Sequence, residues 1–180
     1  KINHINKLYQ HEINNINQYM KDNGLELSNE KTNMMLFNNG FTPRKMPKIY
    51  IDKNEIKYVQ EVKFLGVFLT VKLSWKKHIE YLIQKAIKSF YLIKIISRYS
   101  WGQDSQTLIH LACALVRSKL SYGQEVYFSA PKTYLKKLSS LDSKSIKIAL
   151  GVPIHTKTLK AYSTAGILPL DDWRKLSCAK

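Results

Sequence analysis

Asp171-Asp172 is the only adjacent pair of acids in the chain. Paired aspartates can hold two metal ions for an in-line displacement at phosphorus. That chemistry places the pair at a tight turn between two apolar strands. Here the pair follows Leu168-Pro169-Leu170 and precedes Trp173-Arg174-Lys175. This context predicts a helix start, where acids complement the macrodipole. The histidines (His4, His11, His78, His110 and His155) are scattered, with no Cys or carboxylate at ligand spacing. Cys113 and Cys178 are far apart and read as free thiols, in keeping with a reducing compartment. There is no Gly-rich phosphate loop and no nucleophile motif. The residue types predict no complete active site and no metal site.

The remaining candidates are cations interleaved with planar groups. Lys77, Tyr81, Gln84, Lys88, Tyr91 and Arg98 recur at helical spacing on one face of a segment whose only acid is Glu80. Cations there would neutralise phosphates, and tyrosines would pack on sugars or bases. The plainer reading is a solvated helix face. Arg117, Lys119 and the Lys136-Lys137 pair are further cations available to phosphates. Lys31 sits in Ser28-Asn29-Glu30-Lys31-Thr32, a turn after a strand, where a lysine can meet a phosphate or act as an acid. On its own it reads first as a surface turn lysine, because turns are commonly polar. Phe64-Leu65-Gly66-Val67 places a glycine inside an apolar run, the mark of a bulge or of close approach by another backbone; the alternative is a buried hairpin strand.

Charge points to the class of partner. The net charge is +16, and it is uneven: residues 1–70 hold ten Lys/Arg against seven Asp/Glu, residues 71–180 nineteen against six. Such a field attracts polyanions, nucleic acid first and an anionic membrane surface second. No apolar run is long enough to span a bilayer, and no secretory signal opens the chain.

The elements that would position these groups change character along the chain. Ile2, Ile5, Tyr9, Ile13, Ile16 and Met20 predict an amphipathic helix over 2–22, stopped at Gly24. Strands are expected at 33–37, 49–51, 56–59 and 62–69, with breaks at Asn38-Asn39-Gly40 and Asp52-Lys53-Asn54 and a basic loop bearing Pro43 and Pro47. From Leu73 onward the period is helical. Ser74 is the expected N-cap of a helix reaching Tyr99, with Ile79, Leu82, Ile83, Ala86, Phe90 and Ile93 on its core face. Asp104 caps the next, from 105 to 121, which ends at Gly123. Pro131 opens one over 132–150, stopped by Gly151 and Pro153, and shorter helices are expected at 157–165 and 171–179. The fold class is therefore α+β: a small antiparallel sheet segment over residues 1–73, then an all-helical segment over 74–180.

These pieces, in this order, resemble the reverse transcriptases of non-LTR retrotransposons of the jockey type. Leu27 to Thr32 and a strand ending Leu36-Phe37 are similar to the family's lysine-bearing motif. Phe64-Leu65-Gly66-Val67 resembles the primer grip, and Leu73-Ser74-Trp75 with His78-Ile79 the start of the thumb. Ala114 to Leu120 with Tyr122-Gly123, Ala149-Leu150-Gly151, and Gly166 to Leu170 continue the likeness over nearly the whole chain. The resemblance implies that residues 1–73 end the polymerase palm and that 74–180 form the thumb and the connection after it. It implies that Lys31 assists nucleotide addition, that Phe64, Leu65, Gly66 and Val67 aim the primer's 3′ end, and that helix 75–99 tracks a template–primer duplex of RNA and DNA. The catalytic aspartates are expected upstream of Lys1, so this chain alone is expected to be inactive and to carry no cofactor. Mg²⁺ is expected for the full polymerase, the rest of that polymerase is an expected partner, and no membrane is. The expected location is intracellular, with nucleus or cytoplasm left open. Two other readings compete: a stand-alone basic RNA- or DNA-binding module, and a helical adaptor for a protein partner.

Overall fold

The computed structural model describes residues 2–37, 47–98 and 102–179, with residues 2–5 described by backbone alone. The expected break at Asn38-Asn39-Gly40 and the Pro43 part of the basic loop lie outside the described residues, and the helix expected to reach Tyr99 ends at Ile96, capped at Ser97. The chain forms two compact units, Lys1–Ser74 and Trp75–Lys180.

The first unit begins with helix α1, Ile2–Asp22. It ends in a main-chain closure, Gly24 N–H to Lys21 O at 3.0 Å and Leu25 N–H to Met20 O at 2.9 Å, the pattern that satisfies a helix's last carbonyls. Six short strands follow: β1 Asn33–Met34, β2 Tyr50–Ile51, β3 Asn54–Glu55, β4 Lys57–Tyr58, β5 Glu61–Phe64 and β6 Val67–Thr70. They pair as β1–β4, β2–β3 and β5–β6. The first of these pairs is parallel, which corrects the expectation of a purely antiparallel segment.

Ile49, Ile51 and Ile56 are buried, and Ile13, Leu27 and Met34 pack on them. Polar side chains of α1 sew it to the β2–β3 hairpin. Gln10 brackets the outer edge of β2, donating to Tyr50 O at 2.7 Å and accepting from Tyr50 N–H at 2.8 Å. In doing so it satisfies main-chain groups that an edge strand otherwise leaves open. Asp52, in the hairpin turn, accepts from Asn17 at 3.0 Å and Lys21 at 2.7 Å.

The second unit is helical: α2 Lys76–Ile96, α3 Ser105–Leu111, a π-helical turn Ala112–Arg117 running into α4 Ser118–Leu120, α5 Lys132–Ala149, α6 Thr158–Thr164 and α7 Leu170–Cys178. Helix α2 packs on α5 and on the π turn. Leu108, Ile109, Ala112, Ile146, Ala149, Tyr162 and Ala165 form one buried cluster. Asp104 caps α3 as expected, its carboxylate accepting from Thr107 N–H at 3.0 Å. Ser74 does not cap α2: Trp75 holds that position without a side-chain cap, and Ser74 N–H is taken by Thr70 Oγ1 at 2.9 Å. Gly151, at φ 68°, closes α5 in the left-handed conformation that favours glycine. Tyr127 is 1% exposed and donates to Leu120 O, with His78 edge-on to its ring at 5.3 Å between centroids.

Candidate nucleic-acid interface

Helix α2 separates two faces. Its buried side is His78, Ile79, Leu82, Ala86, Ser89 and Ile93. The stripe is rotated relative to the expected one: Ile83 and Phe90 are only half-buried, while His78 and Ser89 go inside. Apolar character alone places Phe90 in the core; packing gives the deep positions to smaller side chains that fit against α5 and the π turn. On the other side Lys77, Gln84, Lys88 and Tyr91 are exposed and Tyr81 is half-buried, with Arg98 exposed just beyond the helix end. Lys85 lies over the Tyr81 ring at 5.3 Å. Lys77 and Lys88 are separated by about 17 Å of helix axis. Over such a length a duplex presents roughly ten phosphate charges. This face can therefore meet several phosphates at once, with tyrosines between the cations.

Two of the expected phosphate contacts are committed elsewhere. Arg117 is buried, and its Nε and Nη2 donate to the Asp142 carboxylate at 3.1 and 2.7 Å. Asp142 is 0% exposed and also accepts from the Tyr162 hydroxyl at 2.7 Å. Burial opposes the guanidinium charge, but hydrogen bonding to Asp142 and its charge outweigh that and push the pKa of Arg117 up. Burial, with Asp142 adding to it, pushes the Tyr162 phenol up as well. Arg117 thus serves the core and not a phosphate. Lys119 is half-buried, and its ammonium donates to Ser89 Oγ on α2. The missed partner had a legible signal. Asp142 is the only acid in α5, and it stands at four-residue spacing between Leu138 and Ile146, on the helix's apolar stripe.

In the first unit Lys31 is exposed in a turn, its carbonyl accepting from Asn33 Nδ2 at 3.2 Å. Phe64 to Val67 is neither a bulge nor a buried strand. Leu65 and Gly66 are the two-residue turn of the β5–β6 hairpin, with Phe64 paired to Val67 across it. Their φ angles of 45° and 83° give the primed turn that matches strand twist. The turn leaves Phe64 62% and Leu65 76% exposed at the tip.

Asp171 and Asp172 occupy the first turn of α7. Asp171 accepts from Ser139 Oγ at 2.9 Å and from Arg174, and Asp172 pairs with Lys175 at 3.3 Å, so they do not converge on a common point. Among the described residues no three of His, Cys, Asp and Glu are grouped to hold a metal ion. No described helix is long and apolar enough to cross a membrane.

Set beside known proteins, the chain is 29% identical over 98 residues to the Retrovirus-related Pol polyprotein from type-1 retrotransposable element R1 of Bradysia coprophila, a match over 54% of this chain and 10% of that protein. It is 28% identical over 118 residues to the RNA-directed DNA polymerase from mobile element jockey of Drosophila melanogaster, 62% of this chain and 12% of that one. It is 26% identical over 129 residues to an R1 Pol polyprotein of Nasonia vitripennis, 71% of this chain and 37% of that protein. The chain thus spans about a tenth of the first two relatives and resembles, distantly, the polymerase region of non-LTR retrotransposons. No protein-family model and no solved structure matches it.

Proposed function

We propose that this chain is the template–primer-holding part of a retrotransposon reverse transcriptase, acting inside the cell as part of a longer polymerase. In this reading residues 1–73 end the palm and 74–180 form the thumb and the connection after it. The observation that carries the proposal is the division of α2. One face is buried in its own unit, and the opposite face presents Lys77, Tyr81, Gln84, Lys88 and Tyr91 with a single acid, Glu80, in the whole helix. The distant likeness to the R1 and jockey polymerases supplies the context. The exposed Phe64-Leu65 tip suits a hairpin that touches the end of a primer, and the exposed Lys31 suits a group that meets the phosphates of an incoming nucleotide.

Duplex binding by the intact chain should weaken with salt, at a slope of about −3 to −5 in log K against log salt for four to six phosphates met. Lys77→Glu with Lys88→Glu should lower the affinity by roughly tenfold or more and flatten that slope, because two contacts become repulsive. Its melting curve should be unchanged, since both side chains are exposed. Equal binding by the double variant and the wild type would reduce the stripe to a solvated face.

A further inference from the structure

The second unit holds a notch of about 380 Å³ to which α2 contributes no residue; Phe128, Lys132, Lys136, Asp171, Arg174 and Lys175 are among its walls. Four cations line it against one acid. That acid is already engaged, because Asp171 accepts from both Ser139 and Arg174. Lys175 reaches Asp172 only at 3.3 Å, in an exposed pair that water and salt screen. Lys132 and Lys136 stand one turn apart on α5, both exposed. Arg174 is 4% exposed. One terminal nitrogen is bonded to Asp171, and the other, Nη1, is buried without an acceptor among the described residues. A buried charged donor left unsatisfied is costly, and the missing partner is an acceptor. The volume is within the range of roughly 300–1,000 Å³ typical of small-ligand sites.

We propose that this notch binds a phosphate group. Lys132, Lys136 and Lys175 surround the anion, the Arg174 guanidinium forms the buried wall, and the half-exposed Phe128 ring flanks the entrance. The phosphate belongs either to a nucleic-acid strand or to a free phosphate compound. The proposal does not depend on the α2 stripe, which is elsewhere on the same unit.

The test uses the intact chain, inorganic phosphate and the same duplex. Phosphate binding is followed by ³¹P NMR or calorimetry for wild type, for Lys132→Gln with Lys136→Gln, and for Lys144→Gln with Lys160→Gln. Lys144 and Lys160 are exposed and are not part of the notch wall. The notch variant should bind phosphate at least about tenfold more weakly, because charge-assisted hydrogen bonds are the strong ones. Its melt should be unchanged. Lys144→Gln with Lys160→Gln, which removes the same charge, should bind phosphate like wild type. If the notch variant also loses duplex affinity, the ligand is a strand phosphate; if duplex affinity is kept, it is a free phosphate. The proposal is overturned if wild type binds no phosphate at millimolar concentration, if the notch variant binds it like wild type, or if Lys144→Gln with Lys160→Gln loses as much, since the loss then merely follows total charge.

Discussion

Removing either partner of the Arg117–Asp142 pair should cripple the second unit without being a binding mutation. The pair is bidentate, at 3.1 and 2.7 Å, and Asp142 is fully buried. Arg117→Met leaves a buried carboxylate facing only the Tyr162 hydroxyl; Asp142→Leu leaves a buried guanidinium. Breaking a buried pair from one side costs about 3–5 kcal/mol. At roughly 4 °C per kcal/mol for a unit near a hundred residues, each single variant should melt about 12–20 °C lower. Replacing both partners removes both stranded charges. What remains is the Tyr162 hydroxyl without its acceptor, a loss of about 1–3 kcal/mol. The double variant should therefore be more stable than either single one, with a large coupling energy in the cycle. Urea titrations followed by circular dichroism measure all four corners, and duplex titrations well below the melting transition test binding on the same samples. If the single variants lose under about 1 kcal/mol while Arg117→Met weakens duplex binding, the core pair is not what holds Arg117, and the guanidinium belongs to a phosphate after all.

Two further outcomes follow from local structure. Leu65 stands at φ 45° with its side chain largely exposed, so Leu65→Asn, giving the Asn-Gly pair that this turn favours, should raise the stability of the first unit by about 1 kcal/mol; a lower urea midpoint would refute the turn assignment. His78 is fully buried beside Tyr127, and burial lowers its pKa from the ordinary 6.5 against a main-chain hydrogen bond with Tyr122 that works the other way. The unfolded chain takes up this proton more readily than the folded one, so the His78 contribution is intact above about pH 6.5 and is lost as pH falls below it. Stability measured from pH 7.5 to 5 should fall more steeply for wild type than for His78→Phe, and equal slopes would show that His78 titrates alike in both states.

How much of this was legible depended on the range of the interaction. Helix ends set by local chemistry read well: Asp104 caps α3, Pro131 opens α5 and Gly151 closes it. The Lys77–Tyr91 stripe read well too, because helical spacing alone puts those residues on one face. The Asp171-Asp172 pair read as a helix start from its neighbours, and it is one. The short strands read poorly. The 62–69 run, apolar but for Lys63, looks continuous, yet a two-residue turn at Leu65-Gly66 folds it in half.

The sequence alone determined the basic character of the chain, the exposed stripe of α2 and the likeness to retrotransposon polymerases, since each is carried by composition or by residues within a few turns of one another. Only the tertiary structure decided what each cation is for. Arg117, Lys119, Lys88 and Arg174 are alike in composition. Arg117 meets a carboxylate 25 residues away and goes inside, and Lys119 reaches a serine 30 residues back, whereas Arg174 meets Asp171 within its own helix and packing decides only that it is buried. Lys88 stays on the surface. A charge is buried only where the fold brings it a counter-charge or an acceptor, and which residues meet across that distance is settled by packing, not by the neighbours along the chain.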